Sequence, residues 1–150
     1  GGKERHLSVF NALNSLSNIA NNNDWILVHD AVRPCILSED IENLIDQVFD
    51  HPVGGILATK IIDTVKQISS QKELSTIDRR TLYHAQTPQM FRFGILNEAL
   101  KKSIEFDNII TDESEAIENL GHSIKIVKGS KSNIKITQTD DLKLANYYLK

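Results

Sequence analysis

Three short stretches carry side chains whose types and spacing could do chemistry. In VHDAVRPC, residues 28–35, an apolar run stops at His29 and Asp30 and then turns through Arg33 and Pro34. An acid at such a point can hold a metal ion or a ribose hydroxyl, and an arginine suits a phosphate or a neighbouring carboxylate. The same two residues could equally do no more than lock a turn. TDES, residues 111–114, opens a helix whose first amide groups could hold a phosphate oxygen, or is a plain helix cap. In NIKIT, residues 133–137, Lys135 stands between two apolar neighbours and points either to solvent or into a site. HAQTPQ, residues 84–89, adds a polar segment read as a stiff turn, and DTVK and TIDR place hydroxyls, acids and bases on one hairpin.

The elements that must position these groups follow from periodicity. Residues 6–20 have Val9, Leu13, Leu16 and Ala20 at helical spacing. Trp25 to Val28 is a short apolar run, predicted to be a strand covered on both faces. Ser38 is placed to cap a helix whose inner face is Ile41, Leu44, Ile45 and Val48, and Gly55 to Thr59 is a second buried strand. Strand, helix and strand in that order predict a parallel α/β sheet with a right-handed crossover. Ile61 to Gln67 alternates, and with the polar SSQKE and the segments LSTIDR and TLYHA it predicts an extended hairpin arm over about 60–83. A helix is expected over 92–104, then another capped by Thr111 and closed at Gly121. Strands are expected at 123–127 and 133–137, and a last helix capped by Thr139 with Leu142, Leu144, Ala145 and Tyr148 inside.

Composition excludes several classes. With 150 residues, 40% hydrophobic and 25% charged, the chain is sized for one soluble domain. A net charge of −3 with scattered basic residues argues against nucleic acid as a partner. The chain has one cysteine, Cys35, so no internal disulfide forms and a reducing cytoplasm is expected. No apolar run is long enough to predict a membrane span, and GGKERHLSV is not a targeting signal.

Taken in order, GGKER, Ser8, VHDAVRP, DTVK, DR, QTPQ, TDE and GSKSNIKIT resemble one family along essentially the whole chain. It is the 2-C-methyl-D-erythritol 4-phosphate cytidylyltransferases of non-mevalonate isoprenoid synthesis. Ribitol-5-phosphate cytidylyltransferases share much of the pattern and are the near alternative. The resemblance implies a Rossmann-like three-layer α/β nucleotidyltransferase sheet with a protruding β-arm, and a transfer of CMP from CTP to a sugar-alcohol phosphate with Mg2+.

By the same resemblance Gly2 and Ser8 fall where the family contacts cytosine, and Asp30 near the ribose and metal. Arg33 would help recognise the second substrate. Arg79 and Lys135 would position the methylerythritol phosphate, and Thr64, Thr87 and Thr111 would line its pocket. The arm would make a homodimer and carry Arg79 into the partner's site. The family's glycine-rich L-A-A-G-x-G-x-R loop and P-K motif, which hold the triphosphate, are not in these 150 residues. The sheet is therefore expected to be incomplete, the chain to be the C-terminal part of a single domain, and these residues to be inactive alone. A non-catalytic α/β dimerisation module is the competing class. Lys3 stands where an acid is common in the family.

Overall fold

A computed structural model describes residues 2 and 4–150; Lys3 lies outside the described residues. A mixed sheet is built from β1 (Trp25–Val28), β2 (Gly54–Lys60), β5 (Tyr83–Arg92) and β6 (Lys125–Lys128), in the order β1-β5-β2-β6. β2 and β6 are parallel, whereas β5 runs antiparallel to both β1 and β2. The expected parallel sheet is in fact mixed. β1 and β2 do share a direction, but β5 lies between them.

Two helical layers enclose this sheet because successive strand residues face opposite sides. Ile56 and Phe91 point into one core with Leu13 of α1 (Arg5–Leu16), Leu96 and Leu100 of α3 (Phe93–Glu105), and Ile117 of α4 (Glu113–Asn119). Their neighbours Leu57 and Met90 point the other way, onto Leu44 and Val48 of α2 (Ser38–Val48), with Val127 of β6. Leu44, Val48, Leu57, Phe91, Leu96, Leu100 and Ile117 are wholly buried. Burying each such side chain is worth about 1.5–3 kcal/mol relative to leaving it exposed.

Four local expectations are corrected. β1 is an edge strand only partly covered: Ile26 and Val28 pack on one core and Trp25 on the other, but Leu27 is 40% exposed. QTPQ is no turn: Gln86, Thr87, Pro88 and Gln89 sit inside the ten-residue β5 and are buried. A proline fits there because the β2–β5 pairing shifts register between Ile56 and Ala58, so Pro88 faces no ladder position that needs its missing N–H. Residues 133–137 form no strand, and are pinned singly instead, Ile136 N–H to the Val32 carbonyl at 2.8 Å and Asn133 Nδ2 to the Thr87 carbonyl at 2.8 Å. In α5 (Thr139–Tyr148) Ala145 is buried, while Leu142, Leu144 and Tyr148 are 50%, 42% and 39% exposed.

The helix starts also differ in detail. Leu37 and not Ser38 is the N-cap of α2, and Asp112 and not Thr111 that of α4. Ahead of α5 the carboxylate of Asp141 accepts from the Thr137 and Gln138 N–H groups, both at 2.8 Å, and Thr139 is the first helical residue. Gly121, at φ +82°, closes α4 in the left-handed region that glycine tolerates.

The hairpin is separate from the main sheet. β3 (Val65–Ile68) and β4 (Leu74–Ile77) pair antiparallel, with Val65 opposite Ile77 and Ile68 opposite Leu74. Ile68 and Leu74 are 69% and 64% exposed, so the apolar pair at the tip is open to solvent. Among the described residues no helix is long and apolar enough to cross a membrane.

Candidate active site

β1 ends at Val28, and the chain then turns back toward β5, so Asp30 is delivered to the end of the sheet. Its N–H donates to Thr87 Oγ1 at 3.0 Å, which ties the loop to the middle of β5. The same hydroxyl lies 3.0 Å from His29 Nδ1, and His29 Nε2 lies 3.0 Å from the Arg33 carbonyl. The imidazole thereby closes the turn on itself.

Three cations surround the Asp30 carboxylate. Arg5 Nε donates to Oδ1 at 2.8 Å, Lys135 Nζ lies 3.1 Å from Oδ2, and Arg33 Nε lies 3.8 Å from Oδ2. Burial alone would raise the Asp30 pKa, but the hydrogen bonds and charges of Arg5 and Lys135 together outweigh it and hold the group below the usual carboxylate range. Burial lowers the Arg33 pKa, with Arg5 adding to that effect and Asp30 opposing it.

Of these cations, two are committed elsewhere. Arg33 Nη1 donates to the Asn133 carbonyl at 2.8 Å and Nη2 to the Ala85 carbonyl at 3.3 Å, so its guanidinium clamps residue 133 to β5. Arg5 Nη1 and Nη2 grip Glu113 Oε1 and Oε2 at 2.6 and 2.9 Å. The Glu113 side chain is wholly buried. Lys135, whose side chain is 44% exposed, pairs with Asp30 alone among the described residues.

Arg5 and Glu113 were not singled out from sequence. The signal was present, since a glutamate in an otherwise apolar helix face needs a cation, and GGKER supplies one.

A crevice of about 160 Å3 opens over this cluster, lined by Arg5, Asp30, Thr87, Thr111, Asp112 and Lys135 among others. Of the residues singled out from sequence, Asp30, Arg33, Thr87, Thr111 and Lys135 therefore come together. Ser8 shares a shallow depression with Asp30 and Lys135, and Gly2 N–H donates to Ser8 Oγ at 2.7 Å. Thr64 and Arg79 do not join them. They stand on the arm and its base, and the Arg79 guanidinium has no hydrogen-bond or ion-pair partner among the described residues.

The start of α4 is partly occupied by the chain's own side chains. Ser114 N–H donates to Gln89 Oε1 at 2.9 Å, Glu115 N–H to Asp112 Oδ1 at 2.9 Å, and Thr111 N–H to Glu115 Oε2 at 2.6 Å. Two of the helix's first three amides, those of Ser114 and Glu115, are thus already taken.

A larger cleft of about 690 Å3 adjoins the site, lined by Arg33, Lys60, Asp63, His84, Lys131 and Lys135 among others. Among the described residues no cluster of three or more His, Cys, Asp or Glu could hold a metal ion. Asp112 is spent, its two oxygens accepting from Gln89, Ser114 and Glu115. Asp30 is the other crevice carboxylate and would offer Mg2+ its Oδ2 only after Lys135 has moved off it. Mg2+ commonly takes one or two protein carboxylates and fills its remaining positions with substrate phosphates and water.

The sequence model of the 2-C-methyl-D-erythritol 4-phosphate cytidylyltransferase (IspD) family matches residues 1–150. The chain belongs to that family. It is 55% identical over 149 residues to the cytidylyltransferase of this name from Vesicomyosocius okutanii, and 47% identical over 150 residues to that from Vibrio vulnificus. Each match covers 99% of this chain and 62% or 63% of the relative, so the chain spans a little under two thirds of their length. The Francisella tularensis cytidylyltransferase superposes with a TM-score of 0.90 at 40% identity, over 99% of this chain and 69% of that one. A 4-diphosphocytidyl-2C-methyl-D-erythritol synthase from Anaerococcus prevotii gives 0.88 at 34% identity, over 99% and 68%. The fold is therefore the Rossmann-like α/β nucleotidyltransferase fold expected from the motifs.

Proposed function

We propose that the gene product carrying this chain transfers CMP from CTP to 2-C-methyl-D-erythritol 4-phosphate, giving 4-diphosphocytidyl-2-C-methylerythritol and pyrophosphate. The observation that carries the reading is the Asp30 carboxylate ringed by Arg5, Arg33 and Lys135 at the mouth of a polar crevice. Family membership supplies the reaction. A module serving dimerisation alone would have no use for such a cluster.

In this reading the chain aligns and neutralises, with little covalent work to do. Lys135 leaves Asp30 for the incoming sugar phosphate, whose oxygen attacks the α-phosphorus of CTP in line while pyrophosphate leaves. Thr87 and Thr111 line the sugar-phosphate side, and Arg33 keeps Lys135 in reach by holding Asn133. Gly2 and Ser8 face the cytosine and Asp30 the ribose. Mg2+, held by Asp30 and the phosphates, would neutralise charge on the leaving group.

Residues 1–150 then form part of one domain, and the arm joins two copies, with Thr64 and Arg79 serving the partner's site. The exposed Ile68–Leu74 pair supports this, because an isolated hairpin is marginal in water and a second arm would cover it. The reaction belongs in the cytoplasm, which suits the single buried Cys35.

The test is pyrophosphate release by the full-length gene product with CTP, Mg2+ and either sugar phosphate. Turnover with methylerythritol phosphate is expected. Preference for ribitol 5-phosphate, or no turnover with either, overturns the assignment.

A further inference from the structure

We propose that Arg5 is a positioning residue of this site, set by the buried Glu113 so that it holds the Asp30 carboxylate in one orientation. The assignment rests on the cytidylyltransferase reading for its kinetic arm only. Arg5 is the first residue of α1, Glu113 the first of α4, and Asp30 follows β1, so one guanidinium joins three elements.

The geometry suits an arginine and no other side chain. Its donors form a planar, rigid fork. Once Nη1 and Nη2 are fixed on the two oxygens of Glu113, at 2.6 and 2.9 Å, the direction of Nε is fixed too. That third donor lies 2.8 Å from Asp30 Oδ1, an oxygen with no other partner among the described residues. Oδ2 takes Lys135 at 3.1 Å. Without Arg5 the carboxylate would be held on one oxygen only, and would be free to turn.

Glu113 is wholly buried, so it acts through Arg5 and not by contact with substrate. Burial of Arg5 would favour its neutral form, but Glu113 and then Asp30 outweigh that and keep the guanidinium charged. An ordinary structural salt bridge would need no such relay.

Non-additivity separates the two cases. In the full-length gene product, Glu113→Gln and Arg5→Lys should each lower kcat/KM for CTP about ten- to a hundredfold, as loss of a charge-assisted hydrogen bond would. In an Asp30→Asn background neither should lower it further. Full, additive losses in that background would overturn the proposal. A second cycle needs no activity: the urea midpoint shifts of Asp30→Asn and Glu113→Gln should be non-additive with Arg5 present and additive once Arg5 is Met. If the wild type releases no pyrophosphate, the functional reading fails and this cycle decides alone. Additive midpoints with Arg5 in place would then sink the relay. Should Glu113→Gln not fold, the Arg5→Lys and Asp30→Asn pair carries both measurements, with the same outcomes decisive.

Discussion

Arg33→Lys keeps the charge at the site and removes the clamp, so it separates two roles that sequence alone leaves joined. The guanidinium reaches two backbone carbonyls at once, Asn133 at 2.8 Å and Ala85 at 3.3 Å, and its side chain is only 12% exposed. An ammonium on a flexible stem cannot span both. Asn133 is wholly buried, and its carbonyl would keep only the longer bond from Gln86 Nε2, at 3.3 Å. A charged hydrogen bond is worth about 1.5–3 kcal/mol and the weaker one to Ala85 adds little, so the substitution should cost about that much stability. In a protein of this size or somewhat larger that is a fall in Tm of about 3–12 °C. The assay is thermal and urea unfolding of the full-length gene product beside its steady-state kinetics. Stability should fall, and the Michaelis constant for the sugar phosphate should rise, because residues 133–135 loosen together. Unchanged stability with a raised Michaelis constant would refute the clamp and leave Arg33 as a substrate contact alone.

Gly129→Ala should destabilise by about 1–3 kcal/mol in urea, since its Cβ would overlap Gln86 Oε1 and dislodge the amide that holds the Ser130 carbonyl at 2.9 Å. Leu44→Ala, in the wholly buried contact between α2 and the sheet, should cost about 2–5 kcal/mol by the same measurement, with kinetics at low temperature unaltered. Asp141 is held below the ordinary carboxylate range by the Thr137 and Gln138 N–H groups and the Thr137 hydroxyl. A lowered folded pKa contributes stability that is full above the unfolded value near 3.8 and lost as pH falls through the folded one. Carboxyl NMR should therefore show Asp141 titrating below 3.8, and Asp141→Asn should flatten that acid loss; titration at or above 3.8 would contradict the bonding. Mixing Arg79→Ala with Lys135→Ala subunits should restore one working site per heterodimer, and heterodimers without activity would place Arg79 in its own subunit's site.

What was legible in the sequence had period or composition behind it. Leu44, Leu96, Ala99 and Leu100 stand at helical spacing and are buried where that spacing put them. The alternating arm emerged as its own two-stranded sheet, because alternation without an apolar face predicts a strand with no core. β5 was not legible, since it carries Gln86, Thr87, Pro88 and Gln89 in mid-strand, a composition that normally marks a turn. Those polar side chains are buried because they hold the site together: Gln86 supports Ser130, Thr87 receives Asp30, and Gln89 bridges Asp112 to Ser114. Residues 133–137 alternate like a strand but have no neighbouring ladder, so their bonds go to loops instead. The crevice residues Asp30, Arg33, Thr87, Thr111 and Lys135 were singled out through motif order, whereas Arg5 and Glu113 were missed although the glutamate's apolar helix face and GGKER carried a signal.

The cations of the cluster differ in what they are free to do, and that difference orders the chemistry. Moving Arg33 would abandon two backbone carbonyls, and moving Arg5 would strand a buried glutamate, which costs several kcal/mol when a buried ion loses its partner. Lys135 has no such tie. It is half-exposed and among the described residues pairs with Asp30 alone, so its departure strands no second partner. An arriving phosphate dianion can therefore take Lys135 with less disruption than either arginine, while Arg5 still holds the other oxygen of Asp30. The carboxylate keeps its place and loses a cation just as charge enters the crevice. A site of three equally tethered cations could bind phosphate only by breaking its own scaffold, and three free ones could not hold Asp30 in place before substrate came.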